Sequence, residues 1–321
     1  MTDPAFLRQR GPADGRDRTY PPLPEALLVP VYDNHTHLEM FSGGTAPTPL
    51  SGPDGTEPLD YREHLDRASS VGVRGVVQVG TDVETSRWSA ETAAVEPRML
   101  AAVALHPNDA PDYAERGELD DALAAIAELA TRPRVRAIGE TGLDFFRTEA
   151  GPRRDAQLAA FEAHIEIAKQ NGLALQIHDR DAHAAVVATL KRVGAPARTV
   201  FHCFSGDAEL ASLCAENGWY MSFAGTVTFK NAPNLREALR AAPRELIMVE
   251  TDAPYLTPAP FRGRPNAPYL IPHTVRAMAE TIGADIATVA AQIASNTELV
   301  YGRWDSEPVA PPPAAPIGII A

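Results

Sequence analysis

The feature that most constrains the fold is a rhythm: short apolar or β-branched runs alternate about eight times with longer segments of helical periodicity. The runs are LLVPVYDNH, RGVVQVG, MLAAVAL, VRAIGE, LALQIH, RTVFHCF, WYMSF and LIMVET. Between them lie segments such as LDYREHLDRASSVG, RDAQLAAFEAHIEIAKQNG and DAHAAVVATLKRVG, several closing on a glycine that suits a helix C-cap. Strands that are apolar almost throughout are buried on both faces, and a parallel sheet clothed in helices does this. The pattern predicts a single-domain α/β protein of the closed (β/α)8 TIM-type barrel class. An open doubly wound sheet is the alternative, but no glycine-rich dinucleotide fingerprint follows the first strand.

Residues 1–28 and 305–321 are rich in proline and small residues, so they are expected to lie outside the packed fold. The first reads as a disordered or loosely packed extension and the second as a flexible tail, which leaves the barrel at 29–304. The Gly/Pro/Thr-rich stretch 41–58 reads as a long loop after the first strand, covering part of the barrel mouth.

The polar residues fall in a telling place. VYDNHTH ends in His35 and His37, VRAIGE in Glu140, LALQIH in His178, RTVFH in His202, and LIMVETD in Asp252. In a barrel, the C-terminal strand ends converge on one face, where active sites sit. On an extended strand His35 and His37 would project together with Cα atoms about 6.5 Å apart, a pairing that suits one metal ion. Four imidazoles and two carboxylates exceed what one ion needs and suit two, with Glu140 able to bridge. The mixed nitrogen and oxygen donors admit Mg, Mn or Zn among others. Singly, each residue has a blander reading: a satisfied core histidine for His178 or His202, a capping carboxylate for Glu140 or Asp252.

The formal net charge is −13, which discourages adhesion to duplex DNA or anionic lipid by bulk electrostatics. A nucleic-acid partner therefore requires a local basic patch, for which Arg147, Arg153, Arg154, Arg180, Lys230, Arg262 and Arg264 stand near the motifs. The two cysteines, Cys203 and Cys214, form no Cys-x-x-Cys spacing, so neither a disulfide framework nor a zinc ribbon is indicated. Cys203 follows His202 on a strand and is expected to face away from it, toward the helices. The amino-terminal residues lack the apolar core of a signal peptide, and no stretch is apolar and long enough to span a membrane. A cytoplasmic monomer without an obligate protein partner is expected.

At these motifs the chain resembles the TatD family of metal-dependent deoxyribonucleases, within the amidohydrolase-like metallohydrolase barrels. The resemblance is carried by DNHTH (33–37), ALHP (104–107), GETGLDFF (139–146), HDRDA (178–182), HCFSG (202–206) and ETDAPYL (250–256), in family order across nearly the whole barrel. It implies that His35, His37 and Asp252 hold one metal and His178 and His202 the other, with Glu140 shared. It also implies two divalent ions and hydrolysis of phosphodiester bonds, typically by a 3'-to-5' exonuclease on single-stranded DNA, sometimes RNA. One segment departs from the family: RPNAP (264–268) stands where an Arg-Asn-Glu-Pro segment is usual, which bears on substrate preference.

In the mechanism expected from these residues, a metal-activated water attacks phosphorus in line, and Asp252, with Glu140, is the catalytic carboxylate that ligates and accepts the proton. His106, Arg180 and Asn266 are candidate substrate contacts. Glu250 and Asp144 are expected to orient ligating imidazoles. Tyr255, Phe145, Phe146 and Phe229 could stack bases near the mouth, although core packing is the plainer role for each. The same chemistry would attack a carbonyl carbon, so a metal-dependent amide or ester hydrolase such as an aminoacyl-tRNA deacylase is the alternative function. A non-enzymatic metal-binding module is a third.

Overall fold

A computed structural model describes residues 19–41 and 59–304 of the chain. The expected covering loop at 41–58 and the tail at 305–321 lie outside the described residues, apart from the backbone of Phe41.

All eight expected strands form, as one parallel sheet in sequence order: β1 (Val31–Thr36), β2 (Val73–Val79), β3 (Met99–Val103), β4 (Val135–Asp144), β5 (Ala174–Arg180), β6 (Thr199–Phe201), β7 (Tyr220–Phe223) and β8 (Ile247–Val249). The ring closes just beyond β8, where Thr36 bridges Ala253, the His37 N–H donates to the Ala253 carbonyl and the Asp252 N–H to that of His35. The outer helices are α1 (Tyr61–Ser70), α2 (Val83–Val95), α3 (Ala110–Glu115), α4 (Leu119–Leu129), α5 (Pro152–Asn171), α6 (His183–Val193), α7 (Ala208–Glu216), α8 (Pro233–Ala241), α9 (Ile271–Ile282) and α10 (Ile286–Tyr301). Their starts obey local chemistry: Asp60, Asp82, Asp207 and Asp285 each accept backbone N–H groups of the first turn. No helix among the described residues is long and apolar enough to cross a membrane.

Side chains sort by strand parity into two layers. One buried cluster lies between sheet and helices, with Phe161, Ile165 and Ile126. The other fills the barrel interior, with Tyr32, Val77, Val79, Leu100, Ala102, Ala137, Ala174, Val200 and Met248. Above Ala174, the alternation of β5 continues through Gln176 to His178, so period-two geometry alone delivers an imidazole to the barrel top. Gln176 crosses the interior, donating to the Asn34 carbonyl and the Tyr301 hydroxyl, both at 2.7 Å.

Parity breaks at several points of the sheet, and two of the breaks aim site residues. Between Asp33 and Thr36, three residues of β1 oppose two of β2, and between Ile138 and Thr141 three of β4 oppose two of β5. A bulge shifts every later side chain to the opposite face. Tyr32 and Ala137 face the interior below, and after the bulges His35 and Glu140, an odd number of residues further on, still face inward. Gly139 permits the second bulge, since a Cβ there would stand 2.5 Å from Gln176 Cβ.

The expected boundary at residue 29 is too late. Residues 19–28 run over the barrel wall with Tyr20 and Leu27 buried. The Leu27 N–H donates to the Val71 carbonyl, the Tyr269 hydroxyl to the Pro21 carbonyl, and the Arg264 guanidinium to Thr19 and the Tyr20 carbonyl. This extended segment is polar enough to read as a tail, yet its carbonyls and one buried aromatic bind it to the body.

Candidate metal centre

The six expected ligands meet at the C-terminal mouth, and Glu140 stands at their middle. Its carboxylate is almost fully buried and its two oxygens face different partners. Oε2 lies 3.6 Å from His35 Nε2 and 3.8 Å from His37 Nε2. Oε1 lies 2.5 Å from His178 Nδ1, 2.9 Å from His202 Nε2 and 3.4 Å from His106 Nε2.

On the Oε2 side the geometry fits a metal. His35 Nε2 and His37 Nε2 are 3.2 Å apart, and Asp252 Oδ1 lies 3.8 and 3.6 Å from them. An ion with ligands about 2.1 Å away in a tetrahedron requires ligand-to-ligand edges of about 3.4 Å, and these edges scatter around that value. Three such groupings occur among the described residues: His35 with His37 and Asp252, His35 with Glu140 and His202, and His106 with Glu140 and His178. His178 and His202 both touch Oε1 but do not share a grouping; their ring centres are 6.0 Å apart, and His202 stacks on His35 at 3.8 Å.

Neighbouring groups orient the imidazoles. His37 Nδ1 faces the Val79 carbonyl at 3.0 Å and His202 Nδ1 faces Glu250 Oε1 at 3.0 Å, so each carries its hydrogen there and turns the Nε2 lone pair to the centre. His178 is mounted the other way round, with Nε2 3.3 Å from Asp144 Oδ2 and Nδ1 toward Glu140. Glu250 and Asp144 thus stand in the orienting positions expected of them. Glu250 is fully buried and its Oε1 also accepts the Cys203 N–H.

Electrostatics follow from this crowding. Burial would raise the Glu140 pKa, but the imidazoles of His202 and His106 outweigh it and hold the carboxyl well below its usual range. Burial works against a charged His37, yet hydrogen bonding to Asp252 and the charge of Glu39 lift it to about 9. Asp33 is a fully buried carboxyl raised to about 8 by burial, against hydrogen bonds from Thr251. It accepts from the Thr251 N–H and hydroxyl and the His35 N–H, joining the first strand to the loop after the last.

The loops beyond the strands are bent sharply. Asp181, Cys203, Asp252 and Leu256 are the non-glycine residues with positive φ among those described, and all follow β5, β6 or β8. Such left-handed residues are uncommon and cluster at functional sites. At Cys203 this overturns the expected alternation. β6 ends at Phe201 and the backbone turns at φ +42°, so strand alternation does not govern this side chain; the partly exposed thiol is raised by burial and by the charges of Asp252, Glu250 and Glu140.

The substrate contacts expected from sequence divide. His106 lies at the centre. Arg180 sits at the end of β5 with its guanidinium 4.0 Å from the exposed Phe146 ring, and makes no ion pair among the described residues. Asn266 is a correction: it is fully buried, and its amide donates to the Thr251 and Tyr255 carbonyls, so it shapes the Asp252 loop and offers nothing to a ligand. Of the candidate basic patch, Arg153 pairs with Asp112 and Glu115, Arg154 bonds the Thr148 and Phe145 carbonyls, and Arg264 holds residues 19 and 20. Arg262 lies over the Phe229 ring at 4.2 Å, as Arg154 lies over that of Phe145 at 3.9 Å. Sequence reading did not single out Asn108, whose amide donates to the Asp144 oxygen that faces His178; only its place two residues after His106 hinted at it.

The sequence matches the family described as TatD related DNase over residues 32–302. It is 41% identical over 275 residues to a Mycobacterium tuberculosis protein named as an uncharacterized metal-dependent hydrolase TatD, spanning 85% of this chain and 98% of that one. It is 35% identical over 253 residues to a Citrobacter rodentium protein named 3'-5' ssDNA/RNA exonuclease TatD, spanning 76% and 92%. In structure it is similar to the Escherichia coli TatD homologue YjjV, with a TM-score of 0.73 and 24% identity over 85% of this chain and 98% of that one, a likeness of fold.

Proposed function

The chain belongs to the TatD related DNase family and is a metal-dependent hydrolase, and from that premise we propose that it hydrolyses phosphodiester bonds, as a 3'-to-5' exonuclease on single-stranded DNA or RNA. The observation that carries this reading is the division of ligands about Glu140, a set on each carboxylate oxygen, which suits two divalent ions side by side. His35, His37 and Asp252 would hold one and His178 and His202 the other, with Glu140 between; Mg, Mn and Zn all accept these donors. The name carried by the Citrobacter relative supports the substrate class.

When bound, the ions supply Lewis acidity, acidifying a water and neutralising phosphoryl oxygens. The remaining work falls to the chain. Asp252 is the most exposed carboxylate of the centre, its side chain 14% accessible against 6% for Glu140, and so accepts the proton of the attacking water at the mouth. Glu140 stays ionised and fixed between the imidazoles. Arg180, over the Phe146 ring, offers a guanidinium to a backbone phosphate, and Phe146 offers an aromatic face to an unstacked base.

The test is digestion of an end-labelled single-stranded oligonucleotide by the purified full chain with Mg or Mn, with chelator, and with Glu140→Gln. Metal-dependent laddering from the 3' end that the variant abolishes is the expected result. Intact DNA and RNA under every metal overturns the reading, and release of amino acid from mischarged tRNA would then assign the deacylase.

A further inference from the structure

Distance alone admits His106 as a metal ligand, because its Nε2 reaches Glu140 Oε1 at 3.4 Å and groups with His178. The other ring nitrogen decides otherwise. In His37, His178 and His202 the outward nitrogen faces an acceptor, a carbonyl or a carboxylate, which draws the ring hydrogen outward and leaves a lone pair at the centre. In His106 the outward nitrogen, Nδ1, receives the backbone N–H of Asn108 at 3.0 Å. It must present a lone pair there, so the ring hydrogen sits on Nε2 and points into the site.

The loop gives this ring little freedom. The His106 N–H donates to the Thr81 carbonyl at 2.7 Å, and the His106 carbonyl accepts from Asp109 and Ala110 at the start of α3. The preceding Leu105 N–H donates to His164 Nε2, and His164 Nδ1 meets the Thr141 hydroxyl beside Glu140. The buried His164 of α5 thereby ties the His106 loop to the strand that carries Glu140. Asn108, which supplies the decisive N–H, is itself held by Asp144.

We propose that His106 is a fixed N–H donor of the catalytic centre, excluded from ligating metal, whose Nε2–H is given to a non-bridging oxygen of the scissile phosphoryl group as its negative charge builds. This rests on the phosphodiesterase reading above. Glu140 Oε1, already approached by His178 and His202, lies at a long 3.4 Å and holds this hydrogen only weakly, so a substrate oxygen can take it. A preorganised donor aimed at developing charge contributes about 10²–10³-fold to turnover.

Two measurements on the full chain test this. Nitrogen-15 spectra of the zinc-loaded, histidine-labelled protein, assigned with His106→Gln, should show His106 protonated at Nε2 and bare at Nδ1; the opposite tautomer or zinc on Nε2 overturns the proposal. In parallel, His106→Ala and His106→Gln are titrated with Mn and assayed on the labelled oligonucleotide. Unchanged metal stoichiometry with turnover reduced about 10²–10³-fold in the alanine variant, and partly restored by the glutamine amide, is expected. Loss of one equivalent of metal would make His106 a ligand, and undiminished turnover would remove it from the reaction; either overturns the proposal. A wild-type protein that cuts no nucleic acid defeats the phosphodiesterase reading, whereas the tautomer and the metal stoichiometry still decide the donor assignment by themselves.

Discussion

Asp144 and His178 meet behind the metal centre: Oδ2 of the carboxylate lies 3.3 Å from Nε2 of the imidazole, so Nδ1 is the nitrogen turned to Glu140. The same oxygen accepts from Asn108, and Asp144 is fully buried, so nothing else can substitute for it. Asp144→Ala should weaken metal affinity about 10–100-fold, as loss of such orienting groups does. Calorimetric titration with Zn or Mn checks it, and unaltered affinity would show that packing alone orients His178.

Gly139→Ala should damage the centre without touching a ligand. The added methyl meets Gln176 Cβ at 2.5 Å and must part β4 from β5 where Glu140 is aimed inward. Overpacking of this kind costs about 1–3 kcal/mol, and metal affinity should fall with it. Thermal melts with and without metal separate the two losses; a variant with wild-type metal affinity would mean that the bulge tolerates displacement.

Arg180→Ala should raise KM for an oligonucleotide and leave metal content intact. If the guanidinium meets one phosphate, the slope of log affinity against log salt should shrink by about one. Binding isotherms at several salt concentrations read this directly, and an unchanged slope would reduce Arg180 to a cover for Phe146.

Tyr20→Ala should destabilise the fold by about 3 kcal/mol or more, the scale of a deleted buried aromatic. Urea unfolding measures it. A negligible change would return residues 19–28 to the status of a tail.

Acid should act partly through two buried histidines. His64 and His164 are both pushed down to about 3 by burial. The unfolded chain, with imidazoles near 6.5, binds more protons than the folded one between these values, so their neutral burial contributes stability in full above about pH 6.5 that is lost as pH falls toward 3. Each should add a slope of about 1.4 kcal/mol per pH unit in that window. Urea unfolding in chelator at pH 7.5, 6 and 5 should show a flatter dependence for His64→Gln than for the parent chain; parallel curves would count against it.

The barrel was legible because its strands are largely apolar on both faces and each candidate ligand stands at or near the C-terminal end of its apolar run. His178 and His202 could be placed by simple alternation from Ala174 and Val200. His35 and Glu140 could not: counted from Tyr32 and Ala137 they belong outside, and only the bulges in β1 and β4 return them. Composition does not announce a bulge. Asn266 misled for another reason, because a polar residue in a loop reads as available until its amide is seen committed to the Thr251 and Tyr255 carbonyls. Residues 19–28 misled in the opposite sense, their attachment depending on side chains such as Arg264 and Tyr269, more than two hundred positions away.

The two bulges make the centre a matter of counting. Below them, a strand residue can be exchanged for another of similar bulk, and the barrel interior absorbs the change as any core does. Were the same residues of β4 paired with β5 without the bulge, Glu140 would instead turn into the layer of helices, among Phe161 and Ile165, with no change in composition. In this barrel, the pairing register of two short stretches carries as much chemical information as the identity of the ligands.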